Sequence, residues 1–174
     1  MHAALARSRQ AIVDQWVEVV ISGYPDRTGE FLRGKTDRFS NPVAADLKQG
    51  LDAIVDGLSR GCDASELEDP LDLVIRIRAV QDLSPAEAVG FVFDLKPIVR
   101  SVSERDPEDA GIDEVDLDRM VNRLALAAFD VYMKCREQMW SIRAREIRNQ
   151  SLGIMERMQA WRERRAEESE NASR

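Results

Sequence analysis

The segment Ile75–Val99, IRIRAVQDLSPAEAVGFVFDLKPIV, constrains the fold more than any other part of the chain. It closes one helix and opens the next. Ser84 is a candidate N-cap, Pro85 suits the first helical position, and Glu87 completes an S-x-x-E capping box. Behind that start, Ala88, Val89, Phe91, Val92, Phe93 and Leu95 leave the helix apolar almost all round. Such a helix is expected at the centre of a core, covered by its neighbours. Pro97 lies within the run and is expected to bend the helix or end it early, because its ring removes a donor and crowds the preceding turn. The segment therefore predicts an all-α core, and it carries no catalytic group.

Helical periodicity extends on both sides. Leu5, Ile12, Val13, Trp16, Val17 and Val20 predict a first helix over about Ala4–Ile21, broken by Gly23, Tyr24 and Pro25. A short helical turn is expected at Thr28–Leu32 and a polar loop at Gly34–Ser40. Asn41 followed by Pro42 reads as a second helix start. That helix carries Val43, Leu47, Leu51, Ile54, Val55 and Leu58 on one face and stops near Gly61. Asp69 and Pro70 repeat the start signal for a helix through Leu71, Val74, Ile75, Ile77 and Val80.

After a polar connector at 104–111, a final helix is expected from Ile112 or Asp113 with no proline to interrupt it. Continuous to about Glu168, it would span roughly 80 Å. That exceeds a small domain, so its second half is expected to project or to pack on another chain. Its first half docks on the core through Leu117, Val121, Leu124, Ala128, Val131 and Cys135, with Met120, Ala127, Phe129, Tyr132 and Met139 widening the stripe. Beyond Ile142 the apolar line is expected to change phase, running through Ile147, Ile154, Met158 and Trp161 with Leu152 and Met155 beside it. Gly153 is a weak point, costing about 1 kcal/mol against alanine. This divides the chain into a sensor-like domain at 1–140 and a helical extension at 141–174, basic and then frayed.

Charge supports the division. The net charge is −7, yet residues 134–166 hold nine basic and four acidic side chains. No apolar run approaches the roughly 20 residues needed to cross a bilayer. The N-terminus lacks the apolar core of a signal peptide, and Cys62 and Cys135 are too few and too far apart to form a framework. A cytoplasmic location is the expectation.

Candidate chemistry is sparse. His2, the one histidine, sits at the N-terminus and is expected to be frayed and solvent-exposed. It offers no Ser-His or Cys-His pair and no His-based metal site. No glycine-rich phosphate loop occurs, and Gly90 is expected to let another helix approach closely. Asp52 and Asp56 share a helix face and read as a solvated edge. Arg76 and Arg78 interrupt an apolar helix, with Gln81 and Asp82 following, and these four are the candidate ligand or switch contacts. The bland alternative is a salt bridge from a shielded Arg78 to Asp82 or Asp94. Cys62, in a loop near Arg60, is the candidate thiol sensor, whereas Cys135 reads as a core residue. No catalytic residue, metal or cofactor is expected.

Three segments carry a family resemblance: DQWVEVVISGYP (Asp14–Pro25), DRFSNPV (Asp37–Val43) and RIRAVQDLSPAEAVGFVFDLK (Arg76–Lys96). Over about residues 8–140 the chain resembles the N-terminal domain of RsbT co-antagonist proteins of the RsbRD type. The resemblance implies a bacterial cytoplasmic sensor module for stress-response regulation. It further implies a globin-like fold without haem, a homodimer, and a long C-terminal helix that passes state to an effector. Full-length members end in a phosphorylated STAS domain; this sequence stops after its helix. The expectation is a non-catalytic sensor or adaptor that docks on a separate signalling partner, without nucleic acid. Two other readings stand beside it. One is a cofactor-binding or redox protein with a pocket near Trp16, Tyr24 and Phe91. The other is a membrane-surface or scaffold adaptor acting through the basic helix.

Overall fold

The computed structural model describes residues 1–24, 29, 41–79, 83–105 and 112–171, without side chains at 160 and 163–171. Among them every regular element is helical. Apart from Gly29, the turn expected at Thr28–Leu32 lies outside the described residues, as does the loop at Gly34–Ser40.

The first predicted helix is two helices. α1 (His2–Arg7) and α2 (Arg9–Ser22) meet at Ser8, whose φ of −94° and ψ of 10° interrupt the run. α1 is pinned: the His2 Nδ1 lies 2.8 Å from the Leu58 carbonyl oxygen. The expected frayed end is therefore anchored, although the ring stays exposed.

α3 (Pro42–Arg60) begins where its cap requires. The Asn41 side chain accepts from the Ala44 N–H at 3.1 Å. It ends at Gly61, whose φ of 77° favours a residue without a Cβ. α3 packs against α1, α2 and α4 (Glu68–Ala79). A 3-10 turn at Ala64–Leu67, closed by an Asp63/Glu66 capping box, precedes α4, so the start signal lies upstream of Asp69. Gly50 permits close packing here: a Cβ at that position would meet Val74 Cγ2 at 2.7 Å and the Pro70 carbonyl at 3.1 Å.

α5 (Pro85–Gly90) opens with the predicted capping box. The Ser84 hydroxyl accepts from the Glu87 N–H, and the Ser84 N–H donates to Glu87 Oε2 at 2.9 Å. It stops at Gly90, well before the proline. The chain turns through Phe91–Asp94 and restarts as α6 (Leu95–Ser103). Pro97 then lies in the first turn of α6, where its missing N–H costs nothing. Ala88, Val92 and Leu95 are fully buried, but Phe93 is 53% exposed. The all-buried central helix of the sequence reading is corrected on this point. Gly90 is corrected too, since a Cβ there would meet nothing within 4 Å.

The last helix, α7, runs over Glu114–Asn171 and passes through Gly153 without a break. Asp113 caps it, accepting from the Val115 N–H at 2.8 Å. Leu117, Val121, Leu124, Ala128, Val131 and Cys135 are buried as the stripe predicts. Ion pairs from Lys96 to Asp118, Arg100 to Glu114 and Lys134 to Glu68 tie this half to α6 and α4.

The chain divides into two compact units, Met1–Cys135 and Arg136–Arg174. In the second, the described side chains from Trp140 to Leu152 are all exposed. No described helix is long and apolar enough to cross a membrane.

Candidate functional site

The break at Gly90 sets the chemistry of the first unit. Past α5 the backbone tightens to three-residue bonds: the Val92 N–H donates to Val89 and the Phe93 N–H to Gly90. The Ala88 carbonyl thereby loses its usual four-residue partner, and buried carbonyls must find donors elsewhere. Arg78 on α4 supplies them. Its Nε donates to the Ala88 oxygen at 3.2 Å and its Nη2 to the Glu87 oxygen at 2.9 Å. Trp16 on α2 supplies another, donating from Nε1 to the Phe91 oxygen at 2.8 Å.

Arg78 is only 6% exposed. Its guanidinium carbon stands 5.3 Å from the Tyr24 ring centre and 5.4 Å from that of Phe91, within cation–π range. Phe91 stacks in turn on Trp16 with centroids 5.7 Å apart. Burial pushes the Tyr24 phenol above its ordinary pKa, against the opposing effect of Arg78. Burial likewise raises the Asp94 carboxyl, and the charge of Arg78 again opposes it. Among the described residues, two buried polar atoms here have no hydrogen-bond partner, Arg78 Nη1 and the Tyr24 hydroxyl. Both can donate.

Of the four residues singled out in the sequence, the two that are described, Arg76 and Arg78, do not share a site. Arg76 is on the surface, paired with Asp72 one turn earlier. Gln81 and Asp82 lie outside the described residues. Arg78 is shielded as expected, but carbonyls and rings hold it where a carboxylate was anticipated. Of Trp16, Tyr24 and Phe91, Tyr24 and Phe91 face Arg78 and Trp16 stacks on Phe91. The part of α5 in this joint escaped the sequence reading, because its signal is a backbone carbonyl that every residue carries.

Other candidates fall elsewhere. Cys62 lines a surface pocket with His2, Arg119 and Arg123, and Cys135 is buried. Asp52 and Asp56 are not a merely solvated edge: both bind Arg9 and so fasten α2 to α3. Among the described residues, no three His, Cys, Asp or Glu side chains are grouped to hold a metal.

A second feature is an apolar groove between α5 and the first half of α7. Pro85, Val89, Gly90, Phe93, Leu126 and Phe129 line it. Leu126 and Phe129 are exposed. The periodicity places Phe129 on the widened core stripe; the structure sets it on the groove side of the helix.

No curated protein and no solved structure matches the chain. Residues 10–147 do match a family, described as the RsbT co-antagonist protein rsbRD N-terminal domain, and that range takes in the Arg78 joint and the capped start of α5. With most of its length inside that match, the chain belongs to this family of stressosome-related signalling domains.

Proposed function

We propose that this chain is a non-catalytic, cytoplasmic sensor module that dimerises and passes its state along α7 to a separate signalling protein. The α5–α7 groove carries this reading. It exposes Phe93, Leu126 and Phe129 together, and only Asn122 among its lining residues brings a polar side chain. A continuous exposed apolar patch of this kind marks an interaction surface. Because the groove sets a protruding Phe93 beside an open Gly90, a second copy related by a two-fold axis can fill it with the same residues. The globin-like packing implied by the resemblance belongs to the same reading. The sensing end is the Arg78 joint. A small acceptor bound by Arg78 Nη1 and the Tyr24 hydroxyl would bias how α4, α5 and α2 meet, which is a local change able to move a packed joint.

Sedimentation of the full chain tests the dimer. The expected result is a dimer at tens of micromolar, and a monomer for Phe93→Glu with Leu126→Glu. A wild-type monomer, or a double variant that still dimerises, would sink the reading.

The runner-up is redox sensing at Cys62, favoured by its place in a pocket with two arginines. Rapid, stoichiometric labelling of Cys62 by a thiol reagent at neutral pH would support it.

A further inference from the structure

Within the second unit, Trp140, Ile147, Ile154 and Trp161 recur at intervals of seven and are all more than half exposed. Ala144, Ser151 and Met158 follow the first three by four residues. Alternation of four and three is the seam of a heptad, with the small or flexible residues at a and the bulky ones at d. The buried stripe from Leu117 to Cys135 would continue through Gln138 and Ile142, whereas the seam runs through Trp140, Ala144 and Ile147, so the apolar line changes phase between the two halves of the helix. A row of exposed aromatic and branched side chains on one side of a helix calls for a partner helix.

The flanks of the seam say which partner. Position g holds Arg136, Arg143, Gln150 and Arg157, and position e holds Ser141, Arg148, Met155 and Arg162. Every charge on a flank between residues 136 and 162 is thus an arginine. The acids Glu137, Glu146 and Glu156 fall at a, c and f. No ion pair forms among the described residues of this unit to neutralise the arginines, and the Arg157 Nε donates only to the Gly153 carbonyl at 2.9 Å.

In a parallel pair of identical helices, g of one strand meets e of the next heptad on the other. Arg143 would face the second copy's Arg148, and Arg157 its Arg162. An antiparallel pair sets g against g and e against e, which again brings arginines together. Like charges across both edges disfavour self-pairing and select an oppositely charged strand.

We infer that the Trp140–Trp161 seam is a docking surface for a helix of another protein that carries an apolar heptad seam flanked by Glu or Asp. This deepens the proposal that α7 hands state to a partner, and it rests on that reading. The dimer through the groove and the partner on the seam are separate contacts with separate tests.

The probe is a synthetic helix of about four heptads, with Ile and Leu in its seam and Glu at every e and g position, titrated against the full chain. A twin peptide carries Lys at the flanks. The expected result is binding of the acidic peptide at least about tenfold tighter than the basic one, falling as salt is raised. Arg148→Glu with Arg162→Glu should reverse the preference, and both sites are exposed, so folding is not at stake. Equal binding of the two peptides, binding of neither, or binding of phosphatidylserine vesicles alone would overturn the inference. So would loss of the full chain's self-association in Ile147→Asp with Ile154→Asp, which would make a second copy the occupant. Dimer loss on changing Phe93 and Leu126 leaves these outcomes readable, because it reports the groove only.

Discussion

Arg78 in the first unit and Arg143 or Arg148 in the second are the same residue type under opposite constraints. Arg78 is nine-tenths buried, bound to two carbonyls and within cation–π range of two rings. The arginines of the second unit stand in solvent beside a row of exposed apolar side chains. The apolar residues invert in the same way. Trp16 is fully buried, whereas Trp140 is exposed. What differs is the backbone. A helix that stops short inside a core leaves carbonyls that a long cationic side chain must satisfy. A helix with no end nearby makes no such demand, so its arginines are left to set which strand it accepts. Position relative to a helix terminus decides whether arginine serves folding or recognition.

Three substitutions would break or sharpen this contrast. Trp16→Ala removes a large buried ring together with the donor to Phe91, and should cost about 3–5 kcal/mol in urea unfolding. A cost below about 1 kcal/mol would mean that the joint is not part of the core. Arg78→Met keeps much of the volume but strips the Glu87 and Ala88 carbonyls of their donors. Its expected cost is about 2 kcal/mol by the same measurement, and an unchanged midpoint would show that water replaces the guanidinium without loss. Ile147→Ala with Ile154→Ala should shift the unfolding of the first unit by less than about 0.5 kcal/mol, because exposed side chains of a separate unit carry little of its stability. A large shift there would show the seam covered by the chain's own body.

Much of the architecture was legible because its signals are local. Asn41 and Ser84 each announce a helix start through residues within one turn, and the structure forms both caps. The buried face of α7 was equally clear, since Leu117, Val121, Leu124 and Ala128 alternate at helical spacing. Periodicity does not report which apolar residue lacks a neighbour, and so it does not distinguish the exposed Phe93 and Phe129 from core residues. Nor does it show where an apolar helix stops when the next residues are equally apolar, and α5 therefore ended earlier than Pro97 suggested. The candidate site was half legible. Arg78 stood out as a charge in an apolar helix, but its partners are main-chain oxygens and no side-chain pattern marks them. Most of the seam is legible too, since Ile147, Ile154, Met158 and Trp161 share one helical line, but the all-arginine flanks emerge only once Trp140, Ala144 and Ser151 are added and the heptad positions fixed.

The three tryptophans carry one more consequence. Trp16 is sealed in the interior and its indole is tied to Phe91, whereas Trp140 and Trp161 meet solvent. Intrinsic emission from this chain is thus a mixture of a blue component and a red one, each belonging to a different unit. Selective quenching by iodide separates them without any label, so that events in the interior and events on the tail can be followed in one cuvette.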